Sequence, residues 1–144
     1  MSINTIFDVA GSGMSAQSIR LNTVASNIAN ALTASSSVNE VYRARHPVFQ
    51  AIQAQAMAAG SQSADHDAAA GVRVVAIIES QAPLQPRYQP DHPMANADGY
   101  VYFPNVNVVE EMTDMISASR AFQMNVEVLN AAKSMAQRVL NIGQ

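Results

Sequence analysis

No Gly or Pro interrupts the stretch from Val106 to Ile142. Such a stretch favours one continuous helix, since a Gly inside a helix costs about 1 kcal/mol and a Pro about 3 kcal/mol relative to Ala. At about 1.5 Å per residue, that helix runs to roughly 50 Å. This is longer than a small domain is wide, so the helix needs a partner along its length. Its apolar residues say which face is covered. From Val108, steps of four and three residues land on Met112, Met115, Ser119, Phe122, Val126, Leu129, Lys133, Ala136 and Leu140. The result is an apolar seam broken only at Ser119 and Lys133. Asn107 stands where the first-turn amides need a cap, and Glu110 follows three residues later, as in a capping box. Glu110, Glu111 and Asp114 place negative charge at the positive end of the helix dipole, and Arg138 lies near the other end.

The start of the chain mirrors its end. From Phe7, steps of three and four reach Ala10, Met14, Gln17, Leu21, Val24, Ile28 and Ala31, and only Gln17 is polar. This predicts a second amphipathic helix, about 35 Å long from Phe7 to Ala31. Gly11 and Gly13 weaken it and permit a bend or the close approach of another backbone, and local flexibility near a terminus accounts for them equally well. Asn30 and the run 33–37 end it, the Asn as a residue that tolerates the left-handed conformation. Gln17, Asn27, Ser119 and Asn130 are the candidates for burial among the polar residues in or beside the seams. Such groups fix register when buried, and Asn130 reads as facing solvent. Val109, Ile116, Met124 and Val139 flank the seam and are left for neighbours.

Between the helices the pattern changes. Residues 41–49 read as extended, with Pro47 suited to an edge strand. Residues 51–70 are rich in Ala, Gln and Ser and fit a short helix or a disordered loop, with a mobile loop after Met57 preferred. Residues 71–79, with five β-branched side chains in Val72, Val74, Val75, Ile77 and Ile78, read as the clearest strand. Pro83, Pro86, Pro90 and Pro93 predict irregular extended chain and turns. Asp98-Gly99 reads as a tight turn, and residues 100–103 as a short strand that Pro104 halts. The expected fold class is α+β: two long terminal helices paired as a coiled-coil-like hairpin, with a small β-rich insert as a knob between them. The expected divisions are an N-terminal helix over 1–34, the insert over 35–104, and a C-terminal helix over 105–144.

Composition removes several classes of function. The net charge of −3 argues against a nucleic-acid binder, which usually carries a basic face. Without cysteine there is no disulfide or thiolate chemistry. Val74 to Ile78 is the longest strongly apolar run, too short to span a membrane. No Lys or Arg precedes Arg20, and Asn4, Asp8 and Ser12 break any apolar core, so no cleavable secretion signal is expected at the N-terminus. Gly11-Ser12-Gly13 lacks the third glycine of a dinucleotide loop and the lysine of a phosphate loop. Asp65-His66-Asp67 and Asp91-His92 are weak metal-ligand patterns, since ligands must converge in space. His92 and His46 both precede a proline and read as turn residues. No catalytic, metal-binding or cofactor-binding residue is predicted, and no cofactor.

The two terminal segments carry a resemblance. Ser12-Gly13-Met14-Ser15-Ala16-Gln17, with Arg20-Leu21-Asn22 and Ala25-Ser26-Asn27-Ile28-Ala29-Asn30-Ala31, resembles the N-terminal signature of flagellar axial proteins, the rod and hook family. Pro104-Asn105-Val106-Asn107-Val108-Val109-Glu110-Glu111-Met112, Met115-Ile116-Ser117-Ala118-Ser119-Arg120 and Asn125-Val126-Glu127 are similar to its proximal-rod members. So are Gly99-Tyr100-Val101, Tyr42-Arg43-Ala44 and Pro90-Asp91-His92-Pro93. The Asn-Thr-Pro-Gly-Tyr that often follows the first helix in the wider family is replaced here by Asn30-Ala31-Leu32-Thr33 and serines.

The resemblance implies a non-enzymatic basal-body subunit that polymerises through its terminal helices into the drive shaft that transmits torque. It implies export through the flagellar type III apparatus without a cleaved signal, and assembly in the periplasm. The implied partners are further copies, the rod proteins FlgB, FlgF and FlgG, and the adaptor FliE. The residues expected at helix and subunit interfaces are Phe7, Met14, Leu21, Val24, Asn27 and Ile28 on the first helix. On the second they are Met112, Met115, Ile116, Phe122, Val126, Leu129 and Leu140, with Asn107 and Glu110 as the cap. The alternatives are another axial subunit or type III secretion adaptor, and a small periplasmic metal-dependent enzyme built on Asp65, His66, Asp67 and His92.

Overall fold

The computed structural model describes residues 3–52 and 71–142. Helix α1 spans Ile3–Asn30 and helix α2 spans Val108–Ile142. Between them lie strands β1 (Arg45–Ile52), β2 (Gly71–Glu79), β3 (Gln85–Tyr88) and β4 (Tyr100–Phe103). The α+β class and the paired terminal helices follow the periodicity of the sequence. The Ala- and Gln-rich stretch after Ile52 and the Asp65-His66-Asp67 triplet fall outside the described residues.

The helices run antiparallel. Three contacts along their length show it: Gly13 faces Asn125, Arg20 meets Asp114, and Asn27 meets Glu111. A Cβ on Gly13 would lie 2.9 Å from Asn125 Nδ2, so this glycine serves close approach. The contact row differs from the apolar seam read in the sequence. Met115, Phe122, Leu129 and Ala136 are half-buried, as expected, but the alternate positions are Glu111, Ala118 and Ala132, all buried, with Asn125 half-buried between them. Met112, Lys133 and Leu140 are exposed. The covered stripe is therefore rotated by one residue from the most apolar one. Small side chains explain the choice. Ala10 and Ala16 on α1 and Ala118 and Ala132 on α2 are nearly inaccessible, and they let the backbones come closer than Met or Leu would allow.

The insert is not held at a distance as a knob. Strands β1 and β2 pack along α1, and Val72 N–H donates to Ser12 Oγ at 3.2 Å. They form a two-stranded antiparallel sheet with Arg45 opposite Glu79 and Ile52 opposite Gly71, and a bulge between Val48 and Phe49. Pro47 lies in β1 on this small sheet, as an edge position allows.

The proline-rich stretch holds a strand that the sequence reading missed. Strand β3 contains Pro86 and pairs antiparallel with β4, from Gln85 opposite Phe103 to Tyr88 opposite Tyr100. Pro is tolerated because β3 is an edge strand of a two-stranded sheet. Ser35 bridges Tyr102, so β4 is paired on its other side as well. Val101, Phe103 and Pro104 are buried. Ala31, Ala44 and Val106 form a small apolar cluster with Tyr42 against it, where α1 ends and α2 begins.

Two chain reversals have plain causes. Asn30 is the last helical residue of α1, and its Nδ2 donates back to Ser26 O at 2.8 Å, so it closes the helix from within and not from a left-handed position. Gly99 has φ of 80°, a region costly for other residues. A Cβ there would also meet Tyr88 Cε2 at 2.9 Å. Gly99→Ala is expected to cost about 1–2 kcal/mol, measured as a lowered urea midpoint at unchanged slope.

Candidate assembly interface

One residue joins the helix pair to the insert. Asn27 is fully inaccessible. Its amide has two donors and two acceptor sites, and all four are used. Nδ2 donates to Glu111 Oε1 and to Arg45 O, each at 2.9 Å. Oδ1 accepts from Arg45 N at 2.9 Å and from Tyr42 Oη at 2.8 Å. Tyr42 Oη thereby spends its proton on Asn27, so Ser26 Oγ, 3.2 Å away, is the donor of their bond. The Arg45 guanidinium lies 5.5 Å from the Tyr42 ring centre and reaches Glu79 at 3.1 Å. The side chains of Tyr42 from the loop after α1 and of Glu111 from α2, with the Arg45 backbone of β1, thus converge on one α1 amide.

A second amide does similar work nearby. Asn105 Oδ1 accepts from Ala44 N at 2.9 Å, and its Nδ2 donates to Ala82 O at 2.9 Å and Ser80 O at 3.3 Å. Two residues later Asn107 Oδ1 accepts from Val109 N at 3.2 Å, at the start of α2. Glu110 is exposed, and no hydrogen bond from its side chain back to Asn107 is seen. The sequence reading singled out Asn27 but passed over Tyr42, Asn105 and Glu111 as structural joints. Glu111 read as a dipole charge, and only the one-residue rotation of the seam reveals its burial.

Glu111 is 4% exposed, and its Oε2 has no partner. Burial pushes its carboxyl above the ordinary value of 4.5, and the Asn27 amide and the His46 charge only partly oppose this. Asp114 and Glu110 add to the rise. A raised carboxyl means that the folded chain binds the proton more tightly than the unfolded chain. Ionisation therefore costs stability above the raised value, and that cost disappears as pH falls through it and below 4.5. Glu111→Gln keeps the acceptor for Asn27 Nδ2 and removes the charge. The variant should be more stable than the parent at pH 7, and the two should converge below the ordinary carboxylate range. Paired urea titrations at several pH values check this.

The expected interface residues divide into two groups. Val24 and Asn27 are buried, and Phe7, Met14, Leu21, Ile28, Met115, Phe122, Val126 and Leu129 are half-buried. Met112, Ile116 and Leu140 are exposed, Leu140 by 73%. Val109, Met124 and Val139, read as open to neighbours, are exposed as well, Val109 by 74%. Of the polar seam candidates, Gln17 and Ser119 are half-buried and Asn130 is exposed. Gln17 Oε1 is buried without a partner. The helix pair thus covers one narrow stripe of α2 and leaves large aliphatic side chains uncovered.

Among the described residues no group of three or more potential metal ligands comes together. His92 Nδ1 accepts from Met94 N at 3.1 Å, a turn contact. No described helix is long and apolar enough to cross a membrane.

The two helical ends are also where known families match. Residues 7–34 match the family described as flagella basal body rod protein. Residues 97–142 match the family described as flagellar basal body rod FlgEFG protein C-terminal. The flagellar basal-body rod protein FlgC of Salmonella typhimurium strain LT2 is 47% identical over 144 residues, covering 100% of both chains. The protein of the same name from Escherichia coli O6:H1 is 48% identical over 144 residues with the same coverage. That of Borreliella burgdorferi is 38% identical over 151 residues, covering 100% of this chain and 99% of the relative. With identities of this size across the full length, the chain belongs to the FlgC family of flagellar basal-body rod proteins.

Proposed function

We propose that the chain is a structural subunit of the flagellar basal-body rod and acts through its terminal helices. The observation that carries this is the coincidence of two things. The two segments that match rod families cover α2 and all but the first turn of α1, the two helices that pack together, and α2 then leaves an apolar face uncovered. Burying such a face against neighbours is what a tube-forming subunit needs.

The finer reading concerns place and partners. Residues 1–34 and 105–144 form the tube-building core, and residues 35–104 form an insert on its outside. The subunit sits in the proximal rod within the periplasm, reaches it through the flagellar type III apparatus without a cleaved signal, and helps transmit torque. Its neighbours are FlgB, FlgF, FlgG and FliE. Support for this comes from the relatives' names, the absence of a convergent ligand cluster among the described residues, and the ordered joint at Asn27 that fixes insert to helices.

Deletion of the encoding gene should leave cells without hooks, and electron microscopy of purified basal bodies should show rods arrested before hook assembly. Hooks of normal length in the deletion strain would remove the reading. Co-purification with an export adaptor and with no rod component would favour the adaptor alternative.

A further inference from the structure

The described strands form two sheets of two strands each, so every strand has an outer edge. Such an edge ordinarily offers a row of unpaired N–H and C=O groups to any passing strand. Which residues face outward follows from the hydrogen bonds, because the N–H and C=O of one residue point to the same side of a strand and successive residues alternate.

On β1 the Arg45 N–H and C=O both go to the Asn27 amide. Arg45 therefore faces away from β2, and Pro47, Phe49 and Ala51 follow in the same phase. The Asn27 amide already sits where an added strand would bind Arg45, and Pro47 has no N–H to give. On β2, Val72 N–H is held by Ser12 Oγ. The pairing skips Val75, so the outward phase of β2 shifts between Val74 and Ile77, and a straight incoming strand cannot follow it.

The second sheet is closed as well. On β4, Tyr102 exchanges both of its backbone bonds with Ser35. Tyr100 N–H goes to Asn96 Oδ1, and Tyr100 C=O accepts from Asn96 N–H. That edge is full. Since Tyr100 and Tyr102 face away from β3, their partners Tyr88 and Pro86 face outward on the other side. Pro90 comes next in the same phase, so the lone outward N–H of Tyr88 stands between two prolines. Among the described residues, no edge keeps more than two outward donors in unbroken succession.

We propose that the insert is built to refuse strand addition, with Pro47 and Pro86 holding the outer edges of β1 and β3 shut against the strands of a second copy. The side chains make such a device necessary. Val75, Ile77 and Ile78 of β2 are exposed, as are Val48 and Phe49 of β1. An exposed apolar strand with free edge donors is a site of aggregation. The device acts whatever the helices assemble into, so a rod role is not needed for it.

Pro86→Val and Pro47→Val, made separately in the full chain, each add one outward N–H. Gln85→Val is the control, since it raises the strand propensity of β3 while its N–H points to β4. Circular dichroism and urea unfolding establish that each variant starts folded, which valine in place of proline in a strand should allow. Thioflavin T fluorescence and the intermolecular β band in the infrared then follow agitated samples at neutral pH. Both proline variants should form thioflavin-positive, β-rich aggregate several-fold faster than the parent, and Gln85→Val should match the parent. Growth of a folded proline variant at the parent rate overturns the role of that proline. Equal acceleration by Gln85→Val overturns the whole proposal, because strand propensity and not the added donor would then be the cause. Should one proline variant fail to fold, the other carries the same test.

Discussion

Asn27→Ala should destabilise the chain by about 4 kcal/mol, near the upper end of what single substitutions do. The variant strands four partners at once: Arg45 N–H, Arg45 C=O, the Tyr42 hydroxyl and Glu111 Oε1. The bond to Glu111 is fully buried, and those to Arg45 and Tyr42 are partly so. A buried polar group left unmade costs about 1–3 kcal/mol, and relaxation of the loop around Tyr42 and Arg45 returns part of the sum. For a domain of ordinary marginal stability, about 5–15 kcal/mol in all, the loss brings unfolding within easy reach. Urea unfolding followed by circular dichroism measures it. A loss under 1 kcal/mol would mean that Asn27 does not join the helices to the insert. Asn27→Asp offers a sharper version. It keeps the shape and both acceptor sites but loses the donors to Arg45 O and Glu111, and it sets a second carboxyl beside a buried one. Its defect should be severe at pH 7 and should ease as the pH falls and the two carboxyls share protons.

Ala118→Leu should cost about 3 kcal/mol through overpacking. Ala118 is fully inaccessible on the covered stripe of α2, in the row that also holds Glu111 and Ala132. A larger side chain there must push the helices apart or leave its preferred rotamer. The same measurement on Met112→Ala and Leu140→Ala should change stability by no more than about 0.5 kcal/mol in the monomer, since both are exposed. If Met112→Ala cost more than Ala118→Leu, the covered stripe would be the one that apolarity alone selects. The pair of results therefore decides between two registers one residue apart. Exposed Met112 would matter again only where copies dock.

Much of the architecture was legible in the residues. Val108 to Ile142 carries no breaker and has Asn107 ahead of it, and the helix occupies that span. The β-branched run became β2 from Gly71 to Glu79. Asp98-Gly99 made a turn because the second residue takes positive φ. Strand β3 was not legible, because Pro86 is a local argument against a strand and only pairing with β4 outweighs it. Among site residues, Asn27 could be suspected as a polar group in an apolar row, while Glu111 could not, since an acid in a first turn is ordinarily a solvated one.

The sequence by itself determined where the helices run, that each has an apolar side, and that two such sides exist to be joined. These follow from the 3.6-residue period and the placement of breakers, which act over a few residues. Only the tertiary structure decided which stripe of α2 is covered. Hydrophobicity favoured Met112 and Leu140, but close approach favoured the alanines, and Asn27 needed an acceptor that Glu111 supplies. Packing two backbones together is a property of the pair, so neither helix alone could announce it.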